Sequence, residues 1–323
     1  MNKKIIIITK KDLYKLYRTD RKSALIIAKI YNCHHRAIYD KLRKFKIPIR
    51  SNYKIPKKEL LNLYYKKNKS PYFIGKIYGC SFSTITNRLK KYNIPKKSHS
   101  LARMRYKKFN FSNNNIKKAY LIGFRLGDLR VYKTNKNAET VIVQCHTTCN
   151  DQIRLIDKLF MKYGKVTLTP LKDGSTDINC FLNRTFNFLL PKNDNIKDWI
   201  CSNKKSFCSF MAGYTDAEGN FIINQGRARF KIDSYDKNIL KKIHCWLNNY
   251  NIISKFRRIG KKGEMRPEGY VFNKDLWRLN INEANSLFKF INLIKPFISH
   301  RKRLKDINIC IKNIIKRKKL GTI

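Results

Sequence analysis

Along residues 11–51, apolar side chains recur at helical intervals: Leu13, Leu16 and Tyr17, then Ile27, then Ile38 and Leu42, with lysine, arginine and asparagine between them. Positions three and four apart share one face of an α-helix, so the pattern predicts short amphipathic helices. It then returns. Residues 58–98 repeat it at a constant shift of 47 without a gap, pairing Leu13 with Leu60, Tyr17 with Tyr64, Ser23 with Ser70, Ile27 with Ile74, Cys33 with Cys80, Leu42 with Leu89 and Pro48 with Pro95. Two copies of one small helical unit are expected in residues 1–100.

In the second copy Gly75 falls inside a short helix and Gly79 at the following turn; Ala28 and Asn32 take these places in the first. A small residue lets two helices cross closely, and glycine accepts a left-handed turn, so the spacing resembles a helix-turn-helix. Its second helix, about His34–Leu42 and Ser81–Leu89, would present His34, His35, Arg36 and Tyr39, or Ser81, Ser83, Thr84, Asn87 and Arg88, to a nucleic-acid groove.

After a basic, proline-marked linker at 101–117 the periodicity changes. From Ala119 the order reads helix, two strands (130–134 and 140–146), helix (151–164), two strands (165–169 and 176–182) and a short helix (184–190). From Ser206 it reads helix, strands (220–224 and 228–233), helix (237–250), strands (254–260 and 276–281) and helix (282–294), followed by a basic tail helix. The same αββαββα order appears twice, in 118–200 and 201–323, which predicts an α+β pair of related units behind the all-α repeats. Arg227, Arg229 and Lys231 alternate with Ala228, Phe230 and Ile232, and Arg278 and Asn280 with Trp277, Leu279 and Ile281, so one face of each sheet should pack on helices and the other should be cationic.

Charge narrows the partner. The 323 residues carry 72 Lys and Arg against 21 Asp and Glu, a formal net charge of +51. So large an excess repels itself unless a polyanion is near, and nucleic acid fits a cationic sheet face better than any other partner. No stretch approaches the ~20 consecutive apolar residues of a spanning helix, and the short run in MNKKIIIITKK does not make a secretory leader. The expectation is a soluble intracellular protein, with no membrane partner, that acts where DNA is. The segment CHTTC around His146 lacks a second ligand pair at zinc-site spacing.

Against that excess, two acids stand out. LIGFRLGDL (121–129) and MAGYTDAEG (211–219) each carry small residues four apart, Gly123 with Gly127 and Gly213 with Ala217, then one carboxylate, Asp128 or Glu218. Small residues on one helical face let two backbones approach, and the two acids would then arrive together. Close carboxylates at helix C-termini repel each other and meet the negative end of the dipole; a hard divalent cation removes both penalties.

These segments resemble the paired motifs of single-chain LAGLIDADG homing endonucleases, with GYTDAEG the stronger match and Leu129 standing where the family pattern has glycine. The resemblance covers about residues 115–310. It implies motif helices at the interface of two pseudo-symmetric halves, sheets forming a saddle over a long asymmetric DNA duplex, and a monomer that cuts both strands with Mg²⁺ held by Asp128 and Glu218. It also implies basic or polar groups that order water near the metal, for which Gln144 and Lys302 are the nearest candidates, beside His146 and Arg301. Arg130, Gln144, His146, Arg227, Arg229, Lys231, Arg278 and Asn280 would face DNA. Two other readings share the scaffold: a non-catalytic DNA-binding regulator, and a maturase acting on intron RNA. The helix-turn-helix units favour duplex DNA, whose major groove admits a helix.

Overall fold

The structure, a computed structural model, describes residues 7–20, 22–49, 55–97, 102, 106–190, 192–265, 269 and 271–323. Ser51 and Ser98, which end the two repeat copies, and residues 101 and 103–105 of the basic linker lie outside the described residues. The chain divides into two compact units, residues 1–104 and 105–323.

In the first unit each copy is three helical segments. α1 (Lys10–Tyr14, prolonged by a π-helical turn Lys15–Thr19), α2 (Ala24–Ile30) and α3 (His35–Lys44) correspond to α4 (Lys57–Leu61, prolonged by Asn62–Lys66), α5 (Pro71–Tyr78) and α6 (Phe82–Lys91). Ser23 and Ser70 cap α2 and α5 by accepting from the backbone N–H three residues on, which fixes where each helix starts. The turns between the last two helices take the left-handed backbone expected of them, at Asn32 (φ 48°) and Gly79 (φ 61°). A methyl at Gly75 would lie 2.6 Å from the carbonyl oxygen of Cys80, so the second copy closes its turn tightly there. Each copy buries its own core: Leu13, Tyr17, Ile27, Ile38 and Leu42 in one, Leu60, Tyr64, Ile74, Ile85 and Leu89 in the other. The repeated apolar positions are those two cores.

The second unit begins with α7 (Asn115–Gly127), then β1 (Arg130–Tyr132), β2 (Val141–Thr147), α8 (Asn150–Phe160), β3 (Lys165–Pro170), β4 (Thr176–Leu182) and a 3₁₀ turn (Arg184–Leu189). After the single-turn α9 (Asp198–Cys201) come α10 (Lys204–Glu218), β5 (Asn220–Asn224), β6 (Arg227–Ser234), α11 (Lys237–Asn249), β7 (Lys255–Gly260), β8 (Leu276–Ile281), α12 (Ala284–Ile294) and α13 (Arg301–Lys319). The motif helices start earlier than the apolar pattern suggests because Asn114 and Asn203 cap them, accepting from Lys117 N and Ser206 N at 2.9 Å each.

The two antiparallel sheets have the same strand order, β1-β2-β4-β3 and β5-β6-β8-β7. Alternation sends Val141, Val143, Cys145, Ile178 and Cys180 of one sheet, and Ala228, Phe230, Ile232, Leu279 and Ile281 of the other, into one continuous core with the helices. Among the described residues the other face of each sheet carries exposed or half-buried polar and cationic side chains, such as Gln144, His146, Arg227 and Lys231. Among the described residues, no helix is long and apolar enough to cross a membrane.

Candidate active site

The motif helices α7 and α10 cross where their small residues predict. A methyl added at Gly123 would overlap the carbonyl oxygen of Phe210 and lie 2.9 Å from Tyr214 N; one at Gly213 would overlap the carbonyl oxygen of Tyr120 and lie 2.9 Å from Phe124 N. The contacts are reciprocal, as a pseudo-twofold axis between the helices requires. One turn on, Gly127 faces Ala217 and Glu218: its added methyl would meet Ala217 Cβ at 2.5 Å and Glu218 Oε1 at 3.2 Å.

That crossing delivers the acids. Asp128 is the C-cap of α7 and Glu218 the last residue of α10. Burial pushes the Asp128 carboxyl up to about 6, against a donated hydrogen bond from Gln152 Nε2 (2.7 Å to Oδ2) and the nearby charges of Arg303 and Lys192. Glu218 keeps solvent access along its side chain; its pKa is raised by burial first and by Asp128 second, with Lys192 and Arg303 opposing and Asp236 adding to the rise. Among the described residues nothing donates a hydrogen bond to the Glu218 carboxylate. Two partly desolvated carboxylates, both with raised proton affinity, suit a hard cation with open positions. Among the described residues no cluster of three or more His, Cys, Asp or Glu side chains is arranged to hold a metal. The pair is a set of hard oxygen donors of the kind that Mg²⁺ sites retaining water and taking substrate phosphate use.

The two copies differ two residues before each acid. Asp216, 2% exposed, accepts through Oδ2 from Tyr120 Oη (2.6 Å), Ser299 N (2.8 Å) and His300 N (3.2 Å), tying α10 to α7 and to the start of α13. In the first copy Leu126 fills the equivalent place, and the buried Arg125 donates to the carbonyl oxygens of Leu129 and Leu189 instead. Leu129 stands where the second copy has Gly219, whose backbone is extended (φ −70°, ψ 143°), and is buried, 2% exposed.

The sequence-predicted groups are distributed as follows. Gln144 and His146 lie on the open face of β2, opposite the buried Cys145, and Gln144 Nε2 donates to Asp177 Oδ1 at 3.1 Å. Arg130 is exposed on β1, and Arg227, Arg229 and Lys231 line the open face of β6. Lys302 is exposed in the first turn of α13, whereas its neighbour Arg303, with Lys192, is the cation that bears on both acids. Gln152, Lys192 and Arg303 were not picked out from sequence; Arg303 has only its position one residue past Lys302 as a signal, and Lys192 none. In the repeats, His35, Arg36, Ser83 and Asn87 are exposed, and Tyr39, Thr84 and Arg88 half-buried. His34 and Ser81 are the N-caps of α3 and α6, so His34 Nδ1 accepts from Arg36 N and Ser81 Oγ from Thr84 N.

Two expectations about the sheet need correction. Asn280 shares the open face with its register partners Lys231 and Lys255 but is buried there, 8% exposed. Arg278 is not a free cation; it donates to both carboxylate oxygens of Asp233, at 2.6 and 2.7 Å.

Two αββαββα units with glycine-tight crossing helices that each end in an acid define the LAGLIDADG architecture. The family model described as LAGLIDADG-like domain matches residues 208–295, so the second repeat is a LAGLIDADG-like domain. No curated protein matches the sequence. Among solved structures, I-DmoI in complex with DNA and Mn is 21% identical, with 58% of this chain and 99% of that chain covered and a TM-score of 0.40. I-WcaI bound to its DNA recognition sequence is 16% identical, covering 60% and 88%, TM-score 0.41. Full-length DUF199/WhiA from Thermatoga maritima is also 16% identical, covering 63% and 62%, TM-score 0.41.

Proposed function

We propose that the protein is a site-specific DNA endonuclease of the homing type, hydrolysing both strands of a long duplex with a divalent cation, Mg²⁺ by preference, at Asp128 and Glu218. The observation that carries this reading is the delivery of one acid from each motif helix to a single point by the reciprocal glycine contacts, in a chain where acids are scarce. Bound there, the cation would supply Lewis acidity toward a phosphodiester and its attacking water. The chain's own residues do the rest. Gln152 holds one Asp128 oxygen in place, and Lys192 and Arg303 set cationic charge beside the acids, where negative charge develops in phosphoryl transfer. The open sheet faces bind the duplex, α3 and α6 extend the contact into neighbouring grooves, and the chain acts as a pseudo-twofold monomer. Duplex DNA is the substrate rather than RNA because the recognition helices need a wide major groove.

The test is a plasmid assay that resolves nicked from linear product, beside binding measurements, on Asp128→Asn and Glu218→Gln. Each substitution keeps shape and removes a charge that the metal needs, so each should abolish double-strand cleavage by at least about a hundredfold and leave specific binding equal or tighter. Near wild-type cutting by either variant refutes the paired-acid site. Specific duplex binding by the wild-type chain without any cleavage would favour the regulator, and preference for folded RNA the maturase.

A further inference from the structure

The sheets share a topology but not a chemistry on their open faces. In the first, directly paired residues set Arg130, Gln144, Asn179 and Thr167 in one row, with His146, Asp177 and Thr169 in the next. Asp177 accepts from Gln144 Nε2 at 3.1 Å and from Asn179 Nδ2 at 2.8 Å, so one carboxylate pins two amides. In the second, Arg227, Arg229 and Lys231 on β6 lie on one side of β8 and Lys255 and Arg257 on β7 on the other, and the acid of these strands, Asp233, is taken up by Arg278 of β8.

Flexible Lys and Arg neutralise phosphates whatever the base sequence. A fixed carboxylate on a surface that meets phosphates has the opposite effect and lowers affinity for any duplex. It suits a base edge instead, since carboxylates accept from cytosine N4, and amides held at one end offer their remaining donor and acceptor to adenine N6 and N7. The placement of Asp177 in the middle of a DNA-facing row therefore costs binding strength and serves discrimination.

We infer that, on the duplex-binding reading above, the two sheets divide recognition: β5–β8 supplies most of the phosphate-borne affinity and β1–β4 most of the base discrimination. The target should accordingly tolerate substitutions in the half under β5–β8 better than in the half under β1–β4.

Binding selection of the full chain on randomised duplexes yields a preferred duplex; affinities for it and for a scrambled duplex are then followed between about 50 and 200 mM salt. Changing Arg227, Arg229 and Lys231 together to Gln should reduce the log–log salt slope by about 2 to 3, at about 0.9 per lost phosphate contact, with the preferred-to-scrambled ratio nearly constant. Gln144→Ala with Asn179→Ala should lower that ratio at least about tenfold with the slope unchanged. Asp177→Asn, which keeps size but removes the charge and one of the two acceptor oxygens, should lower the ratio while tightening binding to the scrambled duplex; it serves if the double variant melts early. Exchange of the two effects between the sheets, or loss of slope and ratio together in every variant, overturns the division. Failure of selection to enrich any duplex overturns it along with the duplex-binding reading.

Discussion

Asp216 and Glu218 stand two residues apart in one helix with opposite surroundings. Glu218 reaches the helix end and an open site; Asp216 is sealed in, serving three donors with one oxygen. Asp216→Ala would leave the Tyr120 hydroxyl and the N–H groups of Ser299 and His300 without their acceptor, at a cost of about 2–4 kcal/mol, which urea melts should register. Since Asp216 holds the start of α13, which carries Arg303, cleavage should fall in the same variant. Protons sharpen the distinction. Asp128 and Asp216 each have a folded-state pKa of about 6, above the ordinary carboxyl value because both are desolvated. Between about pH 4 and pH 6 the folded chain keeps protons that the unfolded chain has released. Their contribution to stability is thus largest below that window and lost as pH rises through it. In metal-free buffer, the stability drop from pH 5 to pH 7 should be smaller in Asp128→Asn than in the wild type; an equal drop would contradict the raised pKa.

At the scale of elements, the α7–α10 crossing sets the spacing of the acids. Gly213→Ala places a methyl against the Tyr120 carbonyl, which is backbone and cannot swing aside, so the helices must separate. We expect a loss of at least about 2–3 kcal/mol in denaturant melts, and cleavage reduced by more than binding at saturating protein, because the acids move while the sheets need not. Gly226→Ala is the control. Nothing lies within 4 Å of its added methyl, and its positive φ (71°) costs only local turn strain, so its effect on cleavage should be slight.

At the scale of the molecule, the apolar cores divide cleanly: residues 8–47 and 55–94 hold the two small cores, and the large one uses residues 111–314 alone. A variant lacking residues 1–104 should therefore fold, retain cleavage at saturating protein, and bind its site more weakly and with a smaller salt slope, since the repeats add grooves and phosphates but no acid of the site. Circular dichroism, a plasmid assay and a salt titration check the three parts. A folded fragment that cannot cut at any concentration would overturn this assignment of roles.

Helix and strand order, the doubling of both kinds of unit, and the close helix crossing that brings Asp128 toward Glu218 were legible in the chain, because each shows in local spacing: of apolar residues, and of glycine four residues before glycine or alanine. Side-chain surroundings were not. Asn280 is buried on the face it shares with Lys231 and Lys255, and the Arg278 cation is paired with Asp233 on the adjacent strand. Lys192 and Arg303 reach the acids from segments far along the chain, and Asp216 is turned inward by a helix that starts more than eighty residues later. Periodicity constrains which face of an element a residue occupies; which partners it meets there depends on how distant elements pack, and that the tertiary structure alone decided.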